Sequence, residues 1–145
     1  MASVVSVNIS GLKGVCKEAV DEVKLIKDFG IEGDAHAGNW HRQLSLLAQE
    51  SVDKLTALGA GEFKSGIFAE NIRTEGLVLH TLPIGTKLRI GECLVEVTQI
   101  GKECHAHCEV YKRVGMCIMP LEGIFVKVLE GGFVRPKDEI THLKS

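Results

Sequence analysis

Residues 86–98, Thr86-Lys87-Leu88-Arg89-Ile90-Gly91-Glu92-Cys93-Leu94-Val95-Glu96-Val97-Thr98, decide the fold class. Residues 86–90 form a short β-prone run that a glycine closes. Cys93, Val95 and Val97 then alternate with Leu94, Glu96 and Thr98, and a period of two sends the two sets to opposite faces of a strand. Working outward, other short runs follow the same pattern. Residues 4–9 are β-branched and partly alternating, and Val20, Val23, Leu25 and Ile26 suggest a second strand ended by Gly30 and Gly33. Leu44-Ser45-Leu46-Leu47 reads as a buried strand, residues 76–79 as another, and residues 139–143 as a closing strand after the Pro136-Lys137-Asp138 turn. Helical spacing is scarcer. Val52, Leu55 and Leu58 give a helix over residues 49–58, which Gly59 and Gly61 stop. Residues 104–113 allow a short helix with Cys104 and Cys108 on one face. Ile124, Phe125, Val128 and Leu129 suit either a short helix or a buried strand, ended by Gly131-Gly132. Many short strands with glycine punctuation and few helices predict a mainly β fold, a barrel in preference to a βαβ sheet.

The chain has 145 residues, of which 45% are hydrophobic and three are proline, the profile of one globular domain spanning 1–145. It contains no internal repeat, low-complexity tract or linker-like shift. A net charge of −2 with no basic stripe argues against nucleic acid as a partner. No basic segment followed by a long apolar core opens the chain, and no run of about 18 apolar residues exists, so neither a signal peptide nor a membrane span is expected. Five cysteines, an odd number unevenly placed, fit reduced thiols in the cytoplasm better than a disulfide framework.

Three of those cysteines lie close together. Cys104 and Cys108 flank His105 and His107, and Cys117 follows beyond Gly115. Thiolates are soft nucleophiles and soft-metal ligands, so the segment suggests sulfur chemistry, metal chemistry or both. Lys102, His105 and His107 favour a Cys104 thiolate, whereas Glu103 opposes it. The spacing of the three cysteines is neither that of paired zinc knuckles nor that of ferredoxins, yet a tetrahedral zinc site from Cys104, Cys108, Cys117 and one of the histidines is chemically feasible. A resolving thiol for a Cys104 persulfide is a second possibility, and buried inert cysteines are a third. The second chemical stretch is residues 33–43. There Asp34, His36 and His41 offer acid, base and ligand chemistry, Arg42 offers a planar fork for an anion, and glycines permit close backbone approach. Read from the residues alone, the favoured reading is a polar surface loop with Arg42 paired to a carboxylate. Asn71 could bind a ring or fix a loop, and Glu70 could be solvated. Nucleotide-loop and hydrolase-elbow motifs are missing.

Taken in order, Gly33-Asp34-Ala35-His36, His41-Arg42-Gln43-Leu44-Ser45-Leu46, Gly66-Ile67-Phe68-Ala69-Glu70-Asn71-Ile72, Leu82-Pro83-Ile84-Gly85-Thr86, Glu103-Cys104 and Gly123-Ile124-Phe125 resemble the signature elements of the MOSC domain family, named for the C-terminal domain of molybdenum cofactor sulfurases. Glu103 departs from the proline usual before that cysteine. The resemblance covers nearly the whole chain and implies a MOSC-type β-barrel with a few short peripheral helices. It also implies association with molybdenum cofactor (molybdopterin) and a partner that is a pyridoxal-phosphate-dependent cysteine desulfurase or a molybdoenzyme. Under this reading Cys104 carries sulfane sulfur or binds molybdenum. Asp34, His36, His41, Arg42, Gln43, Asn71 and Lys102 contact the cofactor, with Arg42 and Lys102 on its phosphate. Two other readings keep the same chain: a molybdenum-dependent reductase of N-hydroxylated compounds, and a zinc-stabilised or metal-sensing module built on the cysteine and histidine cluster.

Overall fold

A computed structural model describes residues 2–12, 17–57, 65–101 and 122–143. In chain order the strands are β1 (Ala2–Ile9), β2 (Glu18–Val20), β3 (Val23–Ile26), β4 (Gly30–Ile31), β5 (Leu44–Ala48), β6 (Ile72–Glu75), β7 (Lys87–Ile90), β8 (Cys93–Ile100), β9 (Ile124–Glu130), β10 (Gly132–Val134) and β11 (Glu139–Leu143). Helix α1 (Gln49–Leu55) lies between β5 and β6, and a 3-10 turn occupies Leu79–Thr81. Seven strands close into a barrel in the order β11-β7-β8-β9-β5-β6-β1, with β1 returning to β11 through Ala2–Ile140 and Ser3–Glu139. Further along, β1 pairs instead with β2, through Val7–Val20 to Ile9–Glu18. Strands β10, β3 and β4 make a small second sheet.

The alternation in residues 93–98 is realised as read. Cys93, Val95 and Val97 are fully buried in the barrel interior, beside Leu88 and Ile90 from β7 and Ile124, Val126 and Val128 from β9. Closure removes the edges that an open sheet would expose. One pair breaks the antiparallel pattern: β5 runs parallel to β6, and α1 makes the crossover such a connection requires. This explains why all five residues of β5 are buried. Leu44, Leu46 and Ala48 join the barrel core, while Ser45 and Leu47 point to the other face and are covered there.

Three expectations change. The single strand expected around Val20–Ile26 is two strands in different sheets, separated by exposed Asp21 and Glu22. The strand expected at residues 76–79 lies earlier, at β6, because Gly76 sits at φ +87° and turns the chain out of the sheet before the 3-10 turn buries Leu79. The ambiguous run after Gly123 is strand β9. Helix α1 stops at Leu55, and residue 58 together with the helix expected over 104–113 falls outside the described residues.

Candidate functional site

Strand β8 delivers the chain to Gly101, and β9 takes it back from Gly123. The Gly101 amide donates to the Gly123 carbonyl at 2.6 Å, so the described chain on either side of residues 102–121 is joined at one point of the barrel. Lys102, Cys104, His105, His107, Cys108 and Cys117 belong to that segment and lie outside the described residues. Their root, however, is described in detail.

The loop of residues 33–43 sits over this root. Gln99, near the end of β8, accepts through Oε1 from Arg42 Nε (3.0 Å) and contacts His41 Nε2 (2.9 Å), while its own Nε2 donates to the Gly101 carbonyl (2.7 Å). Because an amide oxygen has no proton to give, His41 carries its proton on Nε2 in this arrangement. The Thr98 hydroxyl reaches the His41 and Phe125 carbonyls, tying the loop to β8 and β9. The Arg42 guanidinium lies 5.3 Å from the Phe125 ring centroid and 5.9 Å from that of Trp40, flanked by two aromatic faces. Trp40 in turn meets His41 edge-on at 5.7 Å and donates to the His36 carbonyl at 2.8 Å. The carboxylate partner that a plain surface loop would give Arg42 is not found among the described residues. Among the described residues Arg42 is held in place by neutral groups, and none of them compensates its charge.

Asp34 and His36 form a second, deeper group. Asp34 is buried and accepts from the Ser10 and His36 amides, each at 3.1 Å, and from Lys17 Nζ at 2.7 Å. Lys17 is itself 1% exposed, and its Nζ also lies 3.0 Å from His36 Nδ1. An ammonium only donates, so Nδ1 accepts and the His36 proton resides on Nε2. The approach of Lys17 depends on a glycine. Gly66 sits at φ +87° with its carbonyl taking the Lys17 amide, and a Cβ there would come within 2.0 Å of the Lys17 carbonyl oxygen.

The other residues of the expected site face inward. Gln43 is 2% exposed and its Oε1 accepts from the Val128 amide at 2.8 Å, while its carbonyl packs against Gly30 so closely that a Cβ would stand 2.5 Å away. Asn71 accepts from the Ser45 amide (3.0 Å) and hydroxyl (3.3 Å) and donates to the Asn8 carbonyl (3.2 Å), stitching β5, β6 and β1 together. Glu70, which the sequence allowed to be solvated, is fully buried. It accepts from the Phe68 amide and from Arg73, whose guanidinium lies 2.7 Å away. Lys17, Gln99 and Arg73 were not singled out by sequence, since isolated lysine, glutamine and arginine carry no spacing signal.

Cys93 is a core thiol. Burial first, and then the charges of Glu92 and Asp138, push it up to about 11, far from the reactive range. Beyond the other end of the segment, Glu122 accepts from Ser51 (2.6 Å) and from Lys54 (2.8 and 2.9 Å), with His80 at 3.5 Å. Burial would raise its pKa, but the bonds from Lys54 and Ser51 and the charges of His80 and Lys54 outweigh that and hold it below the ordinary glutamate value. No group of three or more histidine, cysteine and acidic side chains suited to a metal occurs among the described residues. No helix among them is long and apolar enough to cross a membrane.

Compared with known proteins, residues 33–141 match the MOSC domain profile. No curated protein matches in sequence. The fold resembles the YUAD protein from Bacillus subtilis (TM-score 0.76, 18% identity, covering 100% of this chain and 98% of that one). It also resembles YiiM from Geobacillus stearothermophilus (0.75, 19%, 99% and 76%) and YiiM from Escherichia coli (0.72, 22%, 100% and 71%). At these identities the likeness is one of fold.

Proposed function

The chain belongs to the MOSC domain family, and from that premise we propose that it is a molybdenum cofactor-associated protein with Cys104 as its working thiolate, which carries sulfane sulfur or binds molybdenum. One observation carries the reading. Arg42, aromatic-flanked and without a carboxylate partner among the described residues, stands at the root of the segment that bears Cys104. A fork of this kind, with no compensating charge among the described residues, fits the phosphate of a pterin cofactor. His36 and His41 lie on the same loop, His41 serving by giving its Nε2 proton to the Gln99 amide that Arg42 also binds, and Lys102, which lies outside the described residues, is proposed for the same anion. Asp34 acts through Lys17 and His36, while Gln43 and Asn71 hold the strands that frame the loop.

When bound, the cofactor supplies the molybdenum-centred chemistry. The chain's own part is to hold the anion at Arg42 and to present a thiolate. As a carrier, Cys104 attacks the outer sulfur of a desulfurase's persulfide. A new S–S bond forms at Cys104 while the donor's S–S bond breaks, and the donor leaves as a thiolate, so the exchange needs no outside oxidant. A reducing, cytoplasmic setting suits that chemistry, and a cysteine desulfurase or a molybdoenzyme is the partner it calls for.

Native mass spectrometry with elemental analysis on anaerobically purified protein, beside Cys104→Ser, tests the proposal. One reductant-removable sulfur atom on the wild type, or molybdenum with a pterin-sized adduct, either of them lost in the variant, is the expected result. Stoichiometric zinc that only chelation removes would overturn it and make the cysteine and histidine cluster structural.

A further inference from the structure

Gln99 is the residue on which the anion-facing loop converges, and no motif pointed to it. Its single amide oxygen lies 3.0 Å from Arg42 Nε and 2.9 Å from His41 Nε2, and its amide nitrogen donates to the Gly101 carbonyl at 2.7 Å. Three things are thereby tied together: the guanidinium, one histidine ring and Gly101, the last described residue before 102–121.

We infer that Gln99 is the positioning residue of this site, chosen as an amide because it can orient Arg42 without neutralising it. A carboxylate of the same shape would accept from the same two donors, but it would pair with the guanidinium and cancel the charge that an anionic ligand needs. It would also set an acceptor against the Gly101 carbonyl, where the amide now donates. An apolar side chain of similar length would leave the charge intact but the direction unset. Arg42 is flanked by the Phe125 and Trp40 rings, which confine the guanidinium without fixing its rotation; the bond at Nε supplies that and engages one of its five N–H donors, leaving the terminal nitrogens' donors for a ligand. The inference deepens the anion-site reading and rests on it for the ligand, which is an oxyanion, but the positioning itself is a property of the ligand-free protein.

Two arms test it, both on the full chain. In the first, inorganic phosphate is titrated into the wild type, Gln99→Met and Gln99→Glu by calorimetry. The expected order of affinity is wild type, then Gln99→Met, then Gln99→Glu. The carboxylate variant should lose up to roughly fivefold, the scale of one partly exposed charge pair. Added salt should narrow the gap between the two variants, because the difference is a charge effect. Were Gln99 merely a structural tie, Gln99→Met, which loses every bond, would be the poorer binder, and that order would overturn the inference. So would a Gln99→Glu protein that binds as well as the wild type.

In the second arm, nitrogen-15 spectra of the ligand-free proteins read Arg42 Nε–H and the His41 ring. The wild type should show a protected Arg42 Nε–H and a His41 protonated at Nε2, and both signatures should be lost in Gln99→Met. An Arg42 Nε–H equally protected in Gln99→Met would overturn the positioning role. If the wild type bound no phosphate while this second arm gave the expected result, the anion-site reading would fail and Gln99's hold on Arg42 would stand.

Discussion

Lys17→Met is expected to destabilise the protein by about 3 kcal/mol, for reasons that can be worked through residue by residue. The Lys17 and Asp34 side chains are 1% and 0% exposed, with their charged atoms 2.7 Å apart. Removing one partner of such a pair strands the other charge in a medium that solvates it poorly, typically at about 3–5 kcal/mol. Asp34 keeps two compensations, the Ser10 and His36 amides at 3.1 Å, and these place the loss at the low end of that range. Methionine preserves most of the lysine stem's volume, so the cavity contribution is small. The assay is equilibrium urea unfolding, with an unchanged m-value as the check that the denatured state is the same. Adding Asp34→Asn removes the stranded charge but keeps an oxygen for only one of the two amides, since Ser10 and His36 donate to different carboxylate oxygens, so the double variant should recover part of the loss. A Lys17→Met protein within about 1 kcal/mol of the wild type would refute the reasoning. So would a double variant no more stable than the single one, since the effect would then come from packing and not from charge.

Two further outcomes follow from the titrating groups. Cys93, wholly buried and pushed up to about 11, should stay unmodified by iodoacetamide in the folded protein at pH 8 and become labelled only after denaturation; labelling under native conditions would contradict its place in the core. Glu122 is held below its ordinary value of 4.5, so its pairing stabilises the fold above that value and the contribution is lost as the pH falls through the lower folded value. Melting temperatures taken from pH 6 down to pH 3 should accordingly drop less steeply for Glu122→Gln than for the wild type, and parallel curves would count against the pairing with Lys54.

The barrel was legible because a two-residue period and glycine stops survive tertiary context when each strand buries one face. Residues 93–98 gave inward Cys93, Val95 and Val97 directly. Where a strand is buried on both faces or exposed, the period vanishes. Leu44-Ser45-Leu46-Leu47 showed only that it was buried, and nothing local told that β5 runs parallel to β6. The misplaced strand near Gly76 has a similar cause. Leu77, Val78 and Leu79 look like strand residues, but the chain leaves the sheet at Gly76, Val78 faces solvent at 54% exposure and Leu79 is buried from a 3-10 turn. Apolarity was read correctly there and the backbone was not.

The candidate site was legible in its residue types but not in their division of labour. Seen in sequence, Asp34, His36, His41, Arg42, Gln43 and Asn71 are equivalent polar candidates. In the fold, Gln43 and Asn71 satisfy backbone groups of β9, β5 and β1, and Asp34 anchors a buried lysine, because a buried donor or acceptor left without a partner is costly. Arg42 escapes that demand: its only hydrogen bond to a side chain among the described residues goes to a neutral amide. What decides the matter is Gln99, fifty-seven positions away, and no local pattern can report a partner so distant in sequence. The same holds for Lys17, whose burial requires Gly66 to have no side chain. An isolated lysine or glutamine reads as surface until the strands that bring it inward are known. The residues that position the site were therefore hidden for the reason the residues that carry its chemistry were not: only the latter recur together within a few positions of one another.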